Sequence, residues 1–176
     1  MKSPDVCQDF FLYLWFLNLK DMKSKLLFVF MLCLFQSCNT NEIYNSFDRD
    51  FKENRWKITD ERVFEFTNTN SDAIVSLKLH FGHIYGYQFA SIPLEVAITS
   101  PNGSTEVIPV NLQLKDAAGK ELGDCSGDIC DVYFQIKPNF KLEKGKYSFR
   151  IKNNFNGPYL PNVLGIGISI EEQKNK

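Results

Sequence analysis

The residues of this 176-residue chain that could do chemistry are five cysteines, two histidines and one Asp-rich loop. Cys38 closes the run Leu34-Phe35-Gln36-Ser37-Cys38, which follows Lys23, Lys25 and an apolar stretch from Leu26 to Phe35. A basic head, a hydrophobic body and a small residue before the cut are the parts of a secretory signal. With Ser37 before the cut and Cys38 after it, the stretch has the form of a lipoprotein processing site, where the cysteine sulfur accepts a diacylglyceryl group. Phe35 takes a position where Leu is commonest and other apolar residues are accepted. The competing readings of Cys38 are the end of a plain signal peptide or a buried free thiol.

Cys7 and Cys33 fall in the segment that processing removes, which leaves Cys125 and Cys130 as a pair. In an exported chain the two are expected to form a disulfide, since the intervening residues include Gly127 and can curl. So short a loop gains little from closure, so the bridge shapes a turn rather than holding up the fold. A metal site is the rival reading, and two cysteines without nearby histidines make a poor one. His80 and His83 invite a metal reading of their own. Residues three apart on a strand point to opposite faces, however, and these two would converge only across a turn at Gly82. They are expected to be surface or loop histidines. Asp124, Asp128 and Asp131 offer the oxygen ligands calcium prefers, but their spacing lacks the distal bidentate Glu of a calcium loop. Turn-forming aspartates that bond their own backbone explain them more simply.

Ile84-Tyr85-Gly86-Tyr87-Gln88-Phe89 is an aromatic loop. Tyr85, Tyr87 and Phe89 have three readings: a cap over the core, a protein interface, or a platform that stacks on sugars. For nucleophilic catalysis there is no Gly-x-Ser-x-Gly elbow and no cysteine–histidine pair with an orienting partner. No glycine loop is built to cradle phosphate. The expectation is a protein that is not an enzyme and uses no cofactor or metal.

The elements that would position these residues begin late in the chain. Met22 is the better start, because from it the signal has the usual order; residues 1–21 then read as an upstream extension, with a membrane hairpin as the alternative. Neither apolar run before Cys38 reaches the roughly 18 residues that span a bilayer. Residues 22–37 are the signal peptide. Residues 38–55 are polar with scattered aromatics and read as a tether. Residues 56–176 form one domain. From Cys38 onward there are 16 Lys and Arg against 18 Asp and Glu, with no block of like charge. Such a balance gives no electrostatic reason to bind nucleic acid or an anionic membrane surface.

Within the domain the hydrophobic period is two. Phe64 and Phe66; Val75, Leu77, Leu79 and Phe81; Leu94, Val96 and Ile98; Ile108, Val110, Leu112 and Leu114; Val132, Phe134 and Ile136; Tyr147, Phe149 and Ile151; and Leu164, Ile166, Ile168 and Ile170 each mark one buried face. Pro101-Asn102-Gly103-Ser104 is a turn. Pro109 suggests an edge strand or a bulge. Gly165 and Gly167 share the face opposite the last apolar row, which suggests close approach by an aromatic ring or by backbone. Seven or eight strands at this spacing imply an all-β, antiparallel, jelly-roll-like β-sandwich, with an up-and-down barrel as the alternative.

In order and spacing these motifs resemble the gliding-motility-associated lipoprotein family GldH. The resemblance rests on Cys38, Trp56-Lys57 before Asp60, Phe64-Glu65-Phe66, Pro101-Asn102-Gly103, Gly123-Asp124, Gly127-Asp128-Ile129, Gly145-Lys146-Tyr147-Ser148-Phe149 and Leu160 through Ile168. The Cys125 and Cys130 pair and the Tyr-rich loop depart from the family pattern. The resemblance implies a non-enzymatic lipoprotein of the cell envelope that works beside other gliding-motility and secretion-machinery proteins, anchored to the membrane through its N-terminal lipid. No catalytic residue carries over, only Cys38. Asn39 with no acidic run after it favours the outer membrane, facing the periplasm. The competing hypothesis is a lipid-anchored glycan-binding sandwich, with Tyr85 and Tyr87 stacking on sugar.

Overall fold

Alternation of apolar and polar residues builds nearly every element of the computed structural model, which describes residues 41–70 and 72–173. Cys38 and the signal segment lie outside the described residues. The strands are β1 (Glu42–Asp48), β2 (Trp56–Lys57), β3 (Arg62–Asn68), β4 (Ala73–Ile84), β5 (Ser91–Thr99), β6 (Thr105–Gln113), β7 (Asp124–Ser126), β8 (Ile129–Leu142), β9 (Gly145–Asn153), β10 (Tyr159–Leu160) and β11 (Val163–Glu172). Their pairings are antiparallel throughout, in one sheet ordered β1-β11-β4-β8-β7, another ordered β3-β9-β5-β6, and a short β10-β2 ribbon. With β2, β7 and β10 set aside, the eight long strands run first-eighth-third-sixth in one sheet and second-seventh-fourth-fifth in the other. That is jelly-roll order, so the domain is a sandwich and not a barrel.

The core lies where the inner faces of the two sheets meet. Val75, Leu77, Leu79 and Phe81 of β4 and Ile166, Ile168 and Ile170 of β11 face Ile92, Leu94, Val96 and Ile98 of β5 and Tyr147, Phe149 and Ile151 of β9, all buried. Each such side chain contributes about 1.5–3 kcal/mol on burial. Trp56 and Phe51 close one end, their rings 5.7 Å apart, and the indole Nε1–H donates to the Asp60 carbonyl at 2.6 Å. Pro109 sits in β6, an edge strand, where its missing N–H leaves no gap in the ladder.

The structure corrects the sequence reading of the strands in three places. Residues 42–48, read as part of a tether, are β1, which pairs with β11 from Glu42 opposite Glu171 to Asp48 opposite Ile166. The segment has the composition of a linker because it is a half-buried edge strand: Tyr44 turns inward onto Phe66 at 5.0 Å, Phe47 turns outward, Ile43 packs partly against the core, and polar residues fill the remaining places. A register shift between Val163 and Gly165 puts Val163, not Leu164, in the buried row of β11. The Asp-rich stretch is not an open loop either, since β7 and the start of β8 form a hairpin through it.

Gly165 and Gly167 face outward and are covered by β1. A Cβ on Gly165 would run into the ring of Phe47, and one on Gly167 would meet the Ser46 carbonyl oxygen as well as Phe47. The two glycines therefore form the floor on which β1 lies. β1 begins at the end of the sandwich that holds the β3–β4, β5–β6 and β8–β9 turns. Glu172 N–H donates to the Asn41 carbonyl and Gln173 N–H to that of Ile74. Ile74 pairs with Lys141, Asn68 Nδ2 donates to the Glu143 carbonyl, and Gly145 lies against the Pro101 ring.

Overpacking this floor is expected to destabilise the fold by about 1–3 kcal/mol for Gly165→Ala or Gly167→Ala. In a Phe47→Ala background the added cost of Gly165→Ala should shrink, because only the ring opposes it, whereas that of Gly167→Ala should persist against the Ser46 carbonyl. Urea unfolding of the single and double variants measures both.

Candidate functional site

The residues singled out for chemistry converge on one corner of the five-stranded sheet, where the end of β4 meets the start of β8. On the outer face, Phe47, Gly167, His80 and Tyr133 lie in one row across β1, β11, β4 and β8. Gly167 leaves room for the Phe47 ring to lean over it and stack on His80 at 4.0 Å, and His80 stacks on Tyr133 at 4.2 Å. The Arg49 guanidinium lies over the Phe47 ring at 5.1 Å. His80 Nε2 lies 2.7 Å from Asp131 Oδ1, which the β4–β8 register sets opposite Gly82.

Enclosure between two rings decides the protonation of His80. Burial holds its pKa below the ordinary value, outweighing the upward pull of the Asp131 carboxylate. With a neutral imidazole, the Nε2–H donates to Asp131. His83 lies on the opposite face of β4, as strand geometry requires. It is fully buried, its ring is 5.0 Å from that of Tyr87, and its Nδ1 lies 2.9 Å from the Ile84 carbonyl oxygen. Both histidines are thus enclosed, one by stacked rings and one by the core, which corrects their reading as surface or loop residues. Asp131, 51 residues away in sequence, is the partner that no local pattern could supply.

The aromatic loop divides. Tyr85 is 59 % exposed, Tyr87 is 1 % exposed, and Phe89 is half-buried between Tyr87 and Phe155. The chain folds back over the open end of the sandwich, where Tyr87 fills the space beside Phe81 and His83. Tyr87 and Phe89 therefore cap the core, and Tyr85 with Tyr87 cannot form one sugar platform. Desolvation raises the Tyr87 hydroxyl well above the usual tyrosine range.

Cys125 and Cys130 are joined by a disulfide across the β7–β8 hairpin, whose turn contains Gly127 with φ 60°. Asp124 and Asp131 pair across the same hairpin, while the Asp128 carbonyl accepts from Tyr85 N–H at 2.9 Å. Among the described residues no group of three or more His, Cys, Asp or Glu side chains is placed to hold a metal ion. Around the same end runs a polar groove of about 560 Å³ between the segment after β1 and β10. On its wall Arg55 stacks on Tyr159 at 4.9 Å and pairs with Glu53 at 2.7 Å. Arg62 donates to Asp48 and to the Asp50 carbonyl while its guanidinium covers Phe51 at 4.3 Å.

This geometry defines an all-β jelly-roll domain whose polar and aromatic features gather on one sheet face and on the end away from the start of β1. The family model described as GldH lipoprotein matches residues 42–170, from the first residue of β1 into β11, and the chain belongs to that family. It is a gliding-motility-associated lipoprotein of the cell envelope, from a family of the gliding machinery that is not a known enzyme family. No curated protein matches the chain. Among solved structures, it is similar to a family 35 carbohydrate binding module from an environmental isolate, at 13% identity and TM-score 0.37, over 80% of this chain and 96% of that one. It is also similar to dimeric latent PorU from Porphyromonas gingivalis, at 13% identity and TM-score 0.32, over 78% of this chain and 14% of that one. A family 35 carbohydrate binding module from Clostridium thermocellum matches at 11% identity and TM-score 0.31, over 65% of this chain and 95% of that one.

A neutral, buried His80 makes the fold sensitive to acid. The unfolded chain takes up its proton near the ordinary value of 6.5, and the folded chain only at lower pH. Stability is therefore complete above pH 6.5 and is expected to fall as pH drops from there to the folded pKa. Unfolding curves of a His80→Gln variant across that range should show a smaller pH slope than the native chain. Removing the disulfide by Cys125→Ser with Cys130→Ser should cost about 2 kcal/mol at most, since it closes so short a loop. The circular dichroism spectrum of that variant should remain that of the folded sandwich.

Proposed function

We propose that the protein is a non-enzymatic assembly or structural component of the gliding-motility machinery, anchored at the outer membrane through acyl chains on Cys38 and facing the periplasm. The family match over residues 42–170 carries this reading, because it takes in the sandwich from β1 into β11. Several acyl chains on one residue hold a protein to a membrane durably, whereas a single chain does so only marginally. Anchored in this way, the domain would offer a partner its loop-covered end, where Tyr85 projects and the Arg55–Tyr159 groove opens. An exposed tyrosine beside charged walls suits a protein interface, since one ring combines apolar area with a polar tip.

Mild cross-linking in envelope membranes, followed by identification of what is recovered, tests the proposal. Other gliding-motility lipoproteins or secretion components should be recovered with the native chain and lost with Cys38→Ala. A Tyr85→Ala variant should remain in the membrane and recover fewer of them. Native chain recovered with none of these components would count against the assembly role, and Cys38→Ala that stays in the membrane would count against the anchor.

A further inference from the structure

We infer that the end of the sandwich at which β1 begins is a lipid-contacting surface, held against the headgroup layer by a linker of two residues. The inference rests on the reading of Cys38 as the lipidated residue. Only Asn39 and Thr40 separate Cys38 from Asn41, whose carbonyl already accepts from Glu172 N–H at 2.8 Å. Three residue steps reach about 10 Å when fully extended. The headgroup region of one leaflet is itself about 5–8 Å thick. A sulfur bearing diacylglycerol sits at the inner boundary of that region, so most of the linker's reach is spent in crossing it. The domain has no leash on which to stand off the bilayer.

What this end presents fits a headgroup layer. Ile74, 59 % exposed, lies on β4, separated from the start of β1 by the end of β11, from which Gln173 N–H donates to its carbonyl. Lys141, its pairing partner on β8, has its ammonium 3.4 Å from Asp72 and 3.7 Å from Glu143. Lys144 is exposed in the adjoining β8–β9 turn. An isolated apolar side chain can enter the interfacial region while lysine stems reach outward to phosphates. The carboxylates of Asp72 and Glu143, with exposed Glu42 and Glu172 at the start of β1 and the end of β11, more than offset the two lysines, so attraction to anionic lipid is not what holds this end down. Linker length holds it, and the occupant is a headgroup layer of any net charge. β4 runs 12 residues away from this end, which carries Tyr85 about 35 Å above the surface.

The test uses the full lipidated chain, reconstituted in phosphatidylethanolamine vesicles that contain a lipid with a nitroxide on its headgroup. With Cys38 acylated and Cys125 bonded to Cys130, the new thiol of Ile74→Cys, or separately of Tyr85→Cys, takes a fluorescent label. The label at position 74 should lose most of its emission to the nitroxide and the label at position 85 should lose little. A long Gly-Ser insert between Thr40 and Asn41 should restore emission at position 74. Equal, weak quenching at both positions in chain that floats with the vesicles would overturn the inference and leave the anchor intact. Quenching at 74 that persists with the insert would overturn the role given to the linker. Chain that does not float, or whose N-terminal peptide lacks the acyl mass, would overturn the anchor reading and the inference with it.

Discussion

Pairing of β1 with β11 is the contact on which the rest of the arrangement depends. It joins the beginning of the domain to its end, completes the four-strand jelly-roll order of one sheet, and seats Phe47 over Gly165 and Gly167. Phe47 in turn walls in His80, and His80 pairs with Asp131 on the same outer face of the sheet. The same pairing fixes where the chain enters the fold. A floor without Cβ atoms is what permits it, since backbone and ring come too close for any side chain on those two residues.

Burial of polar groups at the corner between β4 and β8 follows from the same crowding. His80 exchanges water for two ring faces and a carboxylate, and the desolvation it suffers is larger than the attraction it gains, so it stays neutral. His83 and Tyr87 fill the space beneath, at the end of the core where the sheets diverge. The Asp-rich hairpin is occupied with structure: Asp131 holds His80, the Asp128 carbonyl holds the aromatic loop, and the disulfide ties the strands of the hairpin together. Residue types that suggest metal or catalytic chemistry in sequence thus serve packing and loop geometry here, and exposed character is left to Tyr85, Tyr133 and the Arg55–Tyr159 groove.

Some of this corner was legible beforehand and some was not. Opposite faces for His80 and His83 follow from the strand period alone. Close cover over Gly165 and Gly167 was readable from two glycines on one face of an otherwise apolar strand. Burial of both histidines was not, because it depends on Phe47, Tyr133 and Tyr87 arriving from other elements. Tyr85 and Tyr87 look equivalent in sequence, and only the course of the loop over the open end sends one ring out and the other in. The Leu164 position failed for a related reason: a register shift interrupts the alternation that placed it inward.

By itself the sequence determined the class of fold, the inner face of nearly every strand, the Pro101–Ser104 turn and the family to which the chain belongs. These rest on local patterns: a period of two, turn residues with the backbone freedom that turns require, and motifs in fixed order. Tertiary structure alone decided that residues 42–48 are a strand and not a tether, which residue partners His80, and which aromatic side chains remain exposed. Each of those outcomes is set by a partner distant in the chain, with Glu42 opposite Glu171 as the extreme case. A half-polar edge strand has no periodicity strong enough to announce itself, and it becomes a strand only when another strand offers unpaired N–H and C=O groups and a surface that its side chains fit.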